Sequence, residues 1–114
     1  MTATAAKPAD RQQQANNLSY LLLGLTIARW NSEVDSGKEL NQFNLFLEGS
    51  PIEGTIRHMG ERLNELGGWP LMSKFMHFFS VQIPREDEGI DRNMIDWAQV
   101  ELNVAWNGIG DWQA

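Results

Sequence analysis

The sequence predicts an all-α protein, a small bundle of four or five helices, and three observations predict it. Apolar residues from Leu18 to Val34 recur at helical spacing. Ser50-Pro51-Ile52-Glu53 has the form of a helix start and precedes a stripe spaced four, three, four, three. Near the C-terminus Arg92, Asp96, Gln99, Asn103 and Asn107 gather into one narrow polar stripe, as they would on a helix and would not on a strand. The fallback is α+β, with one short antiparallel strand pair between Phe79–Ile83 and Val100–Trp106, both of which also alternate.

Residues 1–17 carry no large apolar side chain beyond Met1, so they are expected to form a flexible arm or a helical lead-in to a single helical domain over 18–114. The run Leu18 to Ala28 is too short to span a bilayer. Lys7 and Arg11 ahead of it, with Thr26-Ile27-Ala28 behind, imitate a secretory leader poorly, and Asp10 weakens the likeness further. As a helix this segment has two apolar faces. Leu18, Leu21, Leu22, Leu25 and Ala28 form one, while Tyr20, Leu23, Ile27, Trp30 and Val34 form the other. A helix apolar all round is buried all round, in the middle of the bundle or against another molecule. Its expected stop is Ser36-Gly37.

Leu40, Phe43 and Leu47 predict a short helix over 38–48, closed by Gly49. The next helix begins at the Ser50–Glu53 capping box, buries Ile52, Ile56, Met59, Leu63 and Leu66, and ends at Gly67-Gly68. Glu53 with Arg57, and Arg57 with Glu61, are spaced for solvent-side pairs. Pro70 then opens a helix to about Ser80 with a wide sector of Leu71, Met72, Phe75, Met76 and Phe79. The last helix starts behind Asp91 as N-cap.

The chain has 114 residues, no Cys, five Trp and a formal charge of −6. Zero Cys removes disulfides, thiolate metal sites and cysteine nucleophiles, and fits a cytoplasmic protein. Net acidity argues against nucleic acid as a partner, because that affinity comes largely from Lys and Arg. The first 84 residues are nearly neutral; residues 85–114 hold seven acids against Arg85 and Arg92.

No motif names a reaction, and no catalytic, cofactor or metal residue is assigned. His58 and His77 fall on polar faces. His58 with Glu61 is a single reversed copy of a pattern that diiron bundles need twice. Glu86, Asp87, Glu88 and Asp91 lack calcium-loop spacing, since Gly89 comes too early, and are expected to complement the positive end of the last helix. Gly108-Ile109-Gly110 follows a helix instead of opening one, so it reads as a C-cap and not a phosphate loop. The misfits are Glu101 and Arg29, charged residues inside apolar sectors. An ion pair between them is expected to set the register of their helices; the functional alternative makes Glu101 a pocket acid. Trp112 is either a terminal clasp or an interface residue.

These features point to a small acidic, non-catalytic protein–protein interaction module, an accessory or regulatory subunit or a homo-oligomer, because one short chain cannot easily bury so many apolar faces. Its expected partner is itself or another protein, with no membrane association. The alternative is a binder of a small apolar ligand in an aromatic and Met-rich pocket from Met72, Phe75, Met76 and Phe79 to Trp97 and Trp106, with Glu101 as polar contact or acid.

Overall fold

A computed structural model describes residues 8–113; their regular secondary structure is all helical, with no strand among them. Three helices form the frame: α1 (Pro8–Asp35), α2 (Glu53–His77) and α3 (Arg92–Ala105). Beyond His77 the α2 backbone continues through a π-helical turn, Phe78–Gln82, and one further α turn, Ile83–Glu86. The all-α class holds, but the expected four or five helices are three, because the helix expected over 38–48 does not form and the two expected on either side of Gly68 join as one kinked element. The strand fallback fails outright, since Phe79–Ile83 is π and α turn and Val100–Ala105 is α-helix.

Residues 8–17, ten of the seventeen in the expected arm, are the first turns of α1. Ala15 is fully buried there, and Arg11 donates to the Leu66 carbonyl (3.3 Å). Met1–Lys7 lie outside the described residues. α1 stops where expected, with Ser36 N–H donating to Ser32 O and Gly37 N–H to Val34 O. Its inward line is Ala15, Ser19, Leu22, Thr26 and Glu33, all 3% exposed or less. Ser19 and Thr26 donate to the carbonyls four residues back (3.1 and 2.7 Å), which satisfies the buried hydroxyls within the helix itself.

The expected helix over 38–48 does not form. A single 3-10 turn at Leu40–Gln42 gives way to a non-helical segment through Leu47. The helix start near residue 50 is real, but α2 begins at Glu53 and the capping box is absent: Ser50 caps nothing with its side chain, and Ile52 is the N-cap residue. The local signal placed the boundary to within a few residues, while the Ser50 hydroxyl finds no hydrogen-bond partner. Gly68 (φ 66, ψ −161) breaks the rod where a helix end was expected, and Pro70, which has no N–H to donate, sits just beyond. Helix resumes beyond the kink, so the two expected helices are the two arms of a bent α2. Arg57 forms neither expected Glu pair. It reaches across to the Ala105 carbonyl (2.6 Å) and ties α2 to the end of α3.

The core sits between the three helices. Leu22 of α1, Ile56, Leu63, Met72 and Phe75 of α2, and Ile95, Ala98 and Leu102 of α3 are all fully buried, with Phe79 from the π-helical turn. Trp106, also fully buried, donates its indole N–H to Ile56 O (2.9 Å) and stacks near Phe75 (centroids 5.4 Å apart). Trp112 is the terminal clasp: it is 6% exposed and packs edge-on against Trp106 at 5.5 Å. Gly108 donates back to the Trp112 carbonyl, as a C-terminal turn should.

Candidate functional site: a groove between residues 40–47 and helix α3

Glu101 is buried on α3 (4% exposed), as its place in an apolar sector implied, but its partner is not Arg29. Its Oε1 accepts from the backbone N–H of Leu45 (3.0 Å) and Phe46 (3.1 Å), and Oε2 accepts from Leu45 (3.1 Å). Arg29, on α1, donates to the carbonyls of Asn44 (2.6 Å) and Leu45 (3.3 Å) and to Glu33 Oε1 (2.8 Å). The expected ion pair is therefore replaced by a clamp. The cation takes the carbonyls and the anion takes the amides of the same stretch of backbone. A buried, non-helical segment must find partners for these groups outside itself, and a full charge on each side makes those hydrogen bonds the stronger kind.

Glu33, 3% exposed, completes the cation side of the clamp. Lys38 Nζ lies 2.7 Å from Glu33 Oε2. The hydrogen bond from Lys38, aided by the charges of Lys38 and Arg29, holds the Glu33 carboxyl below its ordinary range against the opposing effect of burial.

With its backbone held, the segment presents side chains to solvent. Leu40, Phe43 and Leu47 face Trp97, Val100 and Glu101 of α3 across an open groove of about 550 Å³, with Asn41, Asn93 and Asp96 completing the lining. Leu40 is 50% exposed and Val100 64% exposed; Val104, one turn further along α3, is 49% exposed. The charged side chains lining the groove are Asp96 and Glu101, both acids. Both Glu101 oxygens accept backbone N–H, so the geometry gives this residue the work of holding one wall in place.

The other singled-out residues are not brought here. Met72, Phe75, Phe79 and Trp106, expected to open into a pocket, form closed core. His58 and His77 are exposed on α2, and no group of three His, Asp or Glu side chains among the described residues could hold a metal ion. Asp91 caps α3 by accepting from Asn93 N–H (2.9 Å). Glu86 and Asp87 instead belong to the end of the preceding turn, where Glu86 accepts from Gln82 and Asp87 from Gly89 N–H. Sequence periodicity missed the groove because Leu40, Phe43 and Leu47 carry a helical pattern on a segment that is not a helix. No family model, curated protein or solved structure matches the chain. Among the described residues no helix is long and apolar enough to cross a membrane.

Proposed function

We propose that this chain is a small acidic, non-catalytic interaction module whose groove receives the apolar side chains of a basic amphipathic helix. The observation that carries this reading is the groove itself: exposed and half-exposed apolar side chains from two elements, on a segment fastened by Arg29 and Glu101, with Asp96 and Glu101 as its charged lining and Arg92 4.0 Å from Asp96 at its edge. Helix-in-groove recognition needs an apolar trough of this kind. The sign of its charges selects a partner carrying Lys or Arg beside its apolar face.

The test uses two synthetic helical peptides, one built from Leu and Lys and one from Leu and Glu, titrated while Trp fluorescence is followed. The Leu/Lys peptide is expected to shift the emission and to lose at least tenfold in affinity for Val100→Lys, with the response absent in Trp97→Phe. Equal silence toward both peptides would sink the proposal.

The groove volume also lies within the range of small-molecule sites, which keeps a second reading, an apolar small ligand against Trp97. It gains the upper hand if small apolar compounds quench Trp97 and neither peptide does.

A further inference from the structure

Helix α1 is turned in an unusual sense. Its inward line includes Ser19, Thr26, Arg29 and Glu33, while Tyr20, Leu21, Ile27 and Val34 point outward, 52%, 54%, 39% and 51% exposed. No exposed α1 residue between Gln13 and Val34 carries a charge, because Arg29 and Glu33, the charged residues of that stretch, face the protein. Twenty-two residues of helix make a neutral face roughly 33 Å long. The other helices differ: α2 exposes Glu61, Arg62, Glu65 and Lys74, and α3 exposes Arg92 and Asp96.

The outward residues are also spaced for a particular partner. Asn17, Tyr20, Gly24, Ile27, Asn31 and Val34 follow one another at three, four, three, four and three, and every one is exposed. This is the spacing of a coiled-coil seam, with the apolar Tyr20, Ile27 and Val34 at one heptad position and the polar or small Asn17, Gly24 and Asn31 at the other; Tyr20, half exposed, also meets Phe78 edge-on at 5.6 Å. From these observations we infer that α1 pairs with α1 of a second copy, as a parallel, in-register two-stranded coiled coil.

Charge selects a second copy. An isologous pairing sets each residue against itself or its near neighbours. In a chain of net charge −6, a face free of ions is the surface that can meet itself without like-charge repulsion, and depletion of charge marks interface cores. The Asn positions select the parallel sense. In register, Asn31 lies against Asn31 and Asn17 against Asn17, and a side-chain amide both donates and accepts, so each can satisfy its twin. An antiparallel pairing sets each Asn against Tyr, Ile or Val and buries an amide without a partner. Gly24 against Gly24 lets the backbones approach between the Tyr20 and Ile27 layers; no other atom of the chain lies within 4 Å of where a Gly24 Cβ would stand. Asp87 and Asp91 line the hollow beside Ile27 and Asn31, so acids flank the seam and added salt strengthens the pairing. The surface is separate from the groove, and either can fail without the other.

Sedimentation equilibrium of the full chain tests the pairing. The expected result is a reversible dimer, twice the 12.9 kDa chain mass, tightening with salt. Ile27→Glu and Ile27→Lys should each be monomeric with unchanged circular dichroism, and an equimolar mixture of the two should recover the dimer. Since the chain has no Cys, Asn17→Cys and Asn31→Cys, oxidised separately in a glutathione buffer, should both give disulfide-linked dimers, while Asp96→Cys should not. A monomer at every concentration overturns the proposal, as does a dimer indifferent to both Ile27 substitutions. Failure of either Asn variant to cross-link in a dimeric protein overturns the parallel register.

Discussion

The backbone groups of Asn44, Leu45 and Phe46 lie inside the protein without a helix of their own, and Arg29 and Glu101 supply what a helical ladder would have supplied. Glu101→Gln keeps the shape but replaces one acceptor with an NH₂ group that must face a backbone N–H. Urea denaturation is expected to show a loss of about 1–3 kcal/mol. An unchanged midpoint would mean that the clamp holds nothing. Glu33 adds a dependence on pH. Because its folded value lies below the ordinary 4.5, its contribution is complete above that value and disappears as pH falls from there through the folded value. Lys38→Met removes the largest cause, so stability measured from pH 6 to 3 should fall less steeply in the variant than in the parent. Parallel curves would count against the Lys38 bond. That Arg29 and Glu101 were misfits was legible in the sequence, since each breaks an apolar sector. That they share a peptide segment and not each other was not legible, because the segment carries an apolar spacing that looks helical.

At the scale of elements, α2 and α3 meet where Gly60 lets Trp106 approach. A Cβ on Gly60 would stand 2.6 Å from Trp106 Cδ1 and Nε1, on a rigid ring already hydrogen-bonded to Ile56 O. Gly60→Ala gains up to about 1 kcal/mol of helix propensity, yet forcing the ring aside costs about 1–3 kcal/mol. Thermal unfolding should therefore show a destabilised variant, whereas Gly54→Ala, where the space is open, should show a gain. The reverse order would refute this account of the contact. Helix α1 teaches a different lesson. Its two apolar faces were expected to be buried all round, but neither turns inward as a whole: Leu21 and Ala28 of one and Tyr20, Ile27 and Val34 of the other are exposed, because the inward line relies on Ser19 and Thr26 bonding to their own helix and on Arg29 and Glu33 reaching the clamp.

Across the whole molecule, charge and apolar surface are partitioned. Residues 85–114 carry most of the net charge and contribute Asp96 and Glu101 to the groove, while the outer face of α1 is neutral and faces the opposite requirement, a partner like itself. The sequence by itself determined the helical class, the C-terminal stop of α1, the start of α3 at its N-cap Asp91 and the break at Gly68, because each follows from local periodicity, capping or backbone conformation. Tertiary structure alone decided that residues 43–47 are not a helix, that Arg57 binds Ala105 in place of its Glu neighbours, and that Trp106 donates to the Ile56 carbonyl. The physical reason is common to all three. Each outcome depends on a partner tens of residues away, and a buried hydrogen bond or ring contact supplied at that distance outweighs the few tenths of a kcal/mol with which local sequence patterns express their preference.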